Sequence, residues 1–290
     1  MTFEPWLRRH PVSSFFALAY GISWGGILMV VSTSGFTLGD LRLLDTDLIF
    51  VSMLLGPCTA GLALTALLEG REGMRRLGSR VAHWRVGLRW YVVALMTMPL
   101  LLLAALWPLS VFVDPAFAPR FQWPLFAIGL VAGSFEEVGW TGFATPRLLA
   151  RQRLFIAGLS LGLVWALWHV VVDFRQNHHT MGNLWVLEFA VFYVAALTAY
   201  RLLMTWVYAN TQSLLLAVLM HASYTGWLFV LYPTTSLEQG LVWQTAFAVV
   251  LWVAVFAVMA GLCRSTRPAS RWSGRSRCSA STACPTARRK

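Results

Sequence analysis

Charge is scarce in this 290-residue chain: Asp, Glu, Lys and Arg together make up 12% of it, against 58% apolar residues. A water-soluble domain carries about 25% charged residues, so that class is excluded. Lysine is nearly absent, with Lys290 the only one, and arginine supplies every other base. The formal charge of +11 would suit a nucleic-acid partner. Such a partner needs bases grouped on a folded face in water, and the apolar composition leaves no room for one. Cysteine is sparse as well. Cys58, Cys263, Cys278 and Cys284 show no CxxC or other metal-type spacing, and HExxH does not occur, so there is no local zinc signature. No internal repeat and no second domain can be found.

Long apolar runs are abundant. Eight have the length of about 20 residues that a bilayer-crossing helix needs: 15–31, 47–68, 90–112, 123–144, 154–173, 184–204, 212–232 and 241–262. Trp90, Tyr91, Trp107, Trp123, Trp185, Tyr232 and Trp243 mark their edges, as an interfacial aromatic belt does. The first run follows Arg8 and Arg9 and lacks a convincing cleavage region, so it reads as an uncleaved signal anchor. Placing the N-terminus in the cytoplasm puts Arg8, Arg9, Arg71, Arg75, Arg76, Arg80, Arg85, Arg89, Arg147, Arg151, Arg153 and Arg201 inside. Only Arg42, Arg120 and Arg175 then fall outside. The expected fold is therefore all-α: a polytopic bundle of eight transmembrane helices with both termini cytoplasmic, in a cell membrane that the motifs below suggest is bacterial. Residues 1–263 form the membrane domain. Residues 264–290, rich in Ser, Arg, Ala and Thr, read as a disordered basic tail suited to anionic lipids. Cys263, Cys278 and Cys284 then face the reducing cytoplasm, where a structural disulfide is not expected.

Ionisable groups inside apolar runs are expensive and point to function. Glu136 and Glu137, His169, Glu188 and His221 lie within such runs, Glu188 about a turn from the end of its own. Asp173 and Arg201 fall at run ends, where reaching out to the interface is the simpler reading, and Glu188 reads as satisfied or interfacial. Adjacent helix positions differ by about 100°, so one of Glu136 and Glu137 can face a cavity while the other buttresses a neighbour. Gly129 and Gly133 share the face of the Glu pair, and Gly158 and Gly162 share a stripe with Trp165 and His169. The two notched helices are expected to pack on one another and bring acid and imidazole together. Ala217, His221 and Thr225 form a third stripe.

Two buried carboxylates and two buried imidazoles permit several chemistries. A carboxylate can act as general base toward water while imidazoles stabilise an oxyanion. Glu136, His169 and His221 could instead hold Zn²⁺ with an open fourth position, or the groups could relay protons. Buried polar residues can also simply glue helices. His178 and His179 near Asp173 read as solvated loop histidines.

The stretch EEVGWTGFATPRL from Glu136, WALWH ending at His169 and HASYT starting at His221 resemble the three motifs of the CAAX-protease and bacteriocin-processing (CPBP) membrane family. The segment from Gly56 to Leu95 is similar to that family's second span and loop, so the resemblance covers about residues 50–230. It implies an eight-helix membrane bundle and a metal-independent glutamic endopeptidase without cofactor. Glu136 would activate the water and Glu137 would assist. His169 would help orient that water, and His221 with residue 225 would polarise the scissile carbonyl. The implied partner is a peptide or membrane-protein substrate, approached from the cytoplasmic side; no protein partner can be named. Thr141 stands where the family has Arg, and Thr225 where it has Asn or Asp. A neutral Thr cannot offer a carboxylate the charge-assisted bond of Arg. A non-catalytic scaffold or immunity-type protein of the same fold is thus the alternative, and a zinc-dependent hydrolase a weaker one.

Overall fold

The computed structural model describes residues 3–33 and 43–265. Arg42, the basic tail apart from its first two residues, and Cys278 and Cys284 lie outside the described residues. All regular elements among the described residues are helical. They are α1 (Phe3–Arg9), α2 (Pro11–Thr33), α3 (Leu43–Val81), α4 (Leu88–Phe112) and α5 (Phe126–Gly139). Next come α6 (Thr145–Leu149), α7 (Leu154–Trp168), α8 (Val170–Met181) and α9 (Leu184–Phe189). The chain continues with α10 (Thr198–Thr211), α11 (Leu214–Val230) and α12 (Leu237–Ser265). Two π-helical segments, Trp140–Ala144 and Ala190–Leu197, join α5 to α6 and α9 to α10. Single-turn 3₁₀ pieces lie between α4 and α5.

Each apolar run in the sequence coincides with a helix or a broken helix. Among the described residues five helices are long and apolar enough to cross a membrane, and α7 with α8, bent by 52° at His169, makes a sixth if counted as one span. The Leu214–Val230 helix is apolar but shorter. The bundle turns apolar side chains outward: Leu100, Trp107, Val253 and Phe256 are each more than half exposed. In water such a belt would carry a penalty of about 25 cal/mol per Å², and hydrocarbon removes it. The chain is a multi-pass membrane protein.

The interior is built from large aromatics, with Trp140, Trp165, Trp168 and Tyr200 all buried. The first apolar helix belongs to this bundle: in α2, Tyr20 donates to the Val164 carbonyl at 2.6 Å and Trp24 to that of Trp168 at 2.9 Å. The glycine stripes do pack closely, but not on one another as expected. A Cβ at Gly129 or Gly133 would collide with the α11 backbone at Gly226, Ala222 and Val218, and one at Gly158 or Gly162 with Leu202 and Thr198 of α10. Each notch therefore admits a different neighbour. Glycine periodicity marks a face for close approach and carries no information about which helix fills it.

The helices end at two chemically distinct faces. At one, Arg8 donates to the Leu68 carbonyl, and Glu69 pairs with Arg76 at 2.7 Å and with Arg147. Arg80 bonds the Tyr208 hydroxyl at 3.0 Å, and Ser213 donates to the His83 carbonyl at 2.6 Å. Gly70, with φ of 59°, breaks α3 here in the left-handed region that glycine tolerates, and the arginine-rich stretch 71–81 comes next. At the other face Gln122 N–H donates to the Val230 carbonyl at 3.1 Å, and Gln239 bonds Asp114 at 3.0 Å.

Candidate active site

Glu136 and Glu137 leave α5 about 100° apart and enter different surroundings. Glu137 is fully enclosed and its carboxylate is saturated. Arg201 binds it through both terminal nitrogens, at 2.8 and 2.9 Å, and His221 Nδ1 lies 2.7 Å from Oε1. Thr141, one turn along on the π segment, donates its hydroxyl to Oε2. Two donors from the guanidinium, one from the imidazole and one from the hydroxyl fill its acceptor sites. Among the described residues Glu136 has a single donor, the Trp165 indole N–H at 3.0 Å, and it lines a cavity of about 550 Å³.

Trp165 links the groups. Its ring stands 5.1 Å from that of His221 and 5.9 Å from that of His169, and the Arg201 guanidinium lies 3.8 Å over its face. His169 sits at the break between α7 and α8, with Nδ1 2.9 Å from the Trp165 carbonyl and its ring against Tyr193. A carbonyl only accepts, so Nδ1 carries the proton and Nε2 is the free acceptor. The π segment at 190–197 contains Tyr193 and precedes Arg201 by one helical turn. An extra residue in such a turn rotates the helix beyond it, and π turns recur at functional sites for that reason.

Glu136, His169, His221 and Thr225 all line the cavity together with Trp165, Trp168, Tyr193 and Tyr224. Glu137 and Thr141 do not; they hold its wall from behind. Counting residues from helix ends would set His169 well apart in depth from Glu136, yet the break after Trp168 leaves its ring on the shared cavity. Among the described residues, no three His, Cys, Asp or Glu side chains form a metal-binding group.

Several sequence expectations need correction. Arg201 does not reach out to the interface: it is 0% exposed, because the apolar run it seemed to end continues as α10 to Thr211. Its isolation was the available signal, since the arginines at 8–9, 71–89 and 147–153 come in groups. Asp173 is likewise buried, taking bonds of 2.7 Å each from Asn177 and the Trp185 indole. Glu188 is buried and receives Gln244 at 3.2 Å, which removes the interfacial reading of it and leaves the bonded one. His178 and His179 lie in the last turn of α8, not in a loop, and His178 stacks on Phe174 at 4.3 Å. The cavity lies away from the arginine loops. Its lining comes from the first third of α3, from Ile128 to Glu136 of α5 and from His221 to Phe229 of α11, all on the arginine-poor side.

Residues 118–227 match the family model described as type II CAAX prenyl endopeptidase Rce1-like. The chain is also similar to CAAX prenyl protease 2 of Methanococcus maripaludis, 27% identical over 137 residues, which is 44% of this chain and 49% of that protein. The chain thus spans about half the length of the curated relative it matches. The matched stretch contains the acid pair, both histidines and Arg201, so the three sequence motifs and this match concern one set of side chains. Over this stretch the chain is similar to the CPBP family, the CAAX-protease and bacteriocin-processing membrane proteins.

Proposed function

We propose that the protein is an intramembrane endopeptidase in which Glu136 is the general base. One observation carries this reading: Glu136 presents a carboxylate with open acceptor sites to a cavity that it shares with two imidazoles and a hydroxyl, while its neighbour Glu137 is tied off. Glu136 would take a proton from water as the water oxygen attacks the scissile carbonyl carbon. The C–N bond then breaks and the amine leaves with that proton. His169 Nε2 is the acceptor suited to orienting the water. His221 gives its Nδ1 proton to Glu137 and keeps Nε2 for the cavity. In imidazolium form it would donate Nε2–H to the developing oxyanion, with Thr225 as a second donor. No step calls for a metal ion, so chelator-treated protein is expected to keep its activity.

The alternative of a non-catalytic scaffold drew on Thr141 and Thr225. Arg201 supplies Glu137 with the guanidinium that Thr141 lacks, which supports catalysis over that alternative. Eight crossings with both termini cytoplasmic are part of the same proposal. The start of α2 and the arginine loops share a face, and α12 begins near Asp114 at the opposite one, which favours an even count. A cell membrane is the expected location, and a peptide or membrane-protein chain the expected substrate. The test is reconstitution in liposomes with a peptide library. Cleavage by the wild type and its loss in Glu136→Gln is expected; equal cleavage by both removes Glu136 from the role of base.

A further inference from the structure

The cavity runs from the buried Glu136 to exposed side chains at the surface. Glu136, Trp165 and His221 line it as buried side chains, and its lining also takes in Thr46 and Asp47 near the start of α3 and Gln176 of α8. Asp47 and Gln176 are exposed, so the cavity reaches the surface there. In the other direction the way is packed shut. Thr141, Phe143 and Arg201 are buried directly behind the acid pair. Leu77, Leu214 and Ala217 then make a separate buried cluster with Val138 against it. At the surface, the Arg147 guanidinium lies 3.6 Å over the Phe143 ring and pairs with Glu69. The mouth and the arginine loops therefore occupy opposite faces of the bundle.

We infer that the substrate segment enters from the arginine-poor face, which is the extracytoplasmic one. Arginines collect on the cytoplasmic side of membrane proteins. With Arg201 removed from the count as buried, Arg8, Arg9, Arg71, Arg75, Arg76, Arg80, Arg85, Arg89, Arg147, Arg151 and Arg153 mark one side, and Arg42, Arg120 and Arg175 the other. The chemical class that fits is a membrane-associated peptide chain whose scissile bond lies in the outer half of the bilayer or beyond it. A cytoplasmic protein tail does not fit. This inference rests on the endopeptidase reading for the word substrate, and on the cavity alone for the side of entry.

Cysteine accessibility tests the two parts separately. In a background with the native cysteines changed to Ser, single variants Asp47→Cys and Gln176→Cys mark the mouth, and Arg85→Cys marks the arginine face. Right-side-out and inverted membrane vesicles are treated with a membrane-impermeant sulfonated maleimide. Residual thiols are then counted by mass-tagging after denaturation. The expected result is near-complete modification of the two mouth thiols only in right-side-out vesicles, and of the arginine-face thiol only in inverted ones. Mouth thiols modified only in inverted vesicles overturn the inference, and so does modification of mouth and loop thiols from the same side. The labelling needs no turnover, so it decides the side of entry even if the wild type cleaves nothing and the endopeptidase reading fails.

Discussion

Arg201 and Glu137 face each other with essentially no contact with solvent, their side chains 1% and 0% exposed. The value of such a pair lies in what either group would cost alone. Removing one partner of a buried ion pair typically destabilises a fold by about 3–5 kcal/mol, because an uncompensated charge stays behind. Arg201→Met is therefore expected to lower the unfolding midpoint in detergent far more than Glu137→Gln with Arg201→Met together, where no charge remains; scanning calorimetry of the wild type and the two variants checks this. The same geometry reverses a tempting repair. Thr141→Arg looks like a restoration of the family motif, but Thr141 is 2% exposed and 3.4 Å from the guanidinium of Arg201. A second cation has no room and no acceptor there, so the single change should unfold the protein, and pairing it with Arg201→Leu should recover much of the loss. Thr225 differs because it is half-buried on the cavity. Thr225→Val removes a donor without changing shape. If Thr225 supports the oxyanion, kcat should fall roughly 10²- to 10³-fold with KM little changed, as for the loss of an oxyanion-hole donor; steady-state kinetics on one cleaved peptide will show it.

Helices in this protein are held by what fits between them. At Gly129 an added methyl group meets backbone atoms of α11, which cannot step aside, whereas at Gly21 it meets nothing within 4 Å. Gly129→Ala should destabilise the bundle, while Gly21→Ala should be neutral or slightly stabilising, since a helical Gly is about 0.5–1 kcal/mol worse than Ala; unfolding midpoints of the two variants separate the cases. The contrast also shows what the sequence could and could not convey. Apolar run length located every long helix, because crossing hydrocarbon imposes a length that composition records. The same rule misled at Arg201 and Asp173, since a hydropathy run ends at a charge whether or not the helix does. The acid pair and histidines were legible as polar groups in apolar runs. Which of the two glutamates faces the cavity was not, because that depends on α10 delivering Arg201 to one of them. The π segments were invisible too, as an inserted residue leaves no mark on composition.

The whole molecule joins two asymmetries that need not agree. One is the arginine distribution, which orients the bundle during insertion; the other is the cavity, whose mouth is set by packing alone. The structure fixes their relation, mouth opposite arginines, without reference to any membrane. A single topological measurement therefore settles both. Alkaline phosphatase joined after Lys290 should be inactive and green fluorescent protein at the same position bright, because α12 runs from the Asp114 face back toward the arginine face. Active phosphatase and a dark fluorescent fusion would turn the molecule over, carrying the arginine loops outside and the mouth of the cavity into the cytoplasm. Charge reversal supplies the corresponding cause. Arg71, Arg75, Arg76, Arg80, Arg85 and Arg89 form the densest group outside the tail. If that group sets orientation, replacing its exposed members with Gln should raise the fraction of molecules with active phosphatase, and neutralising Arg120 and Arg175 should not. Equal effects from both sets would mean that the loops obey an orientation decided elsewhere in the chain.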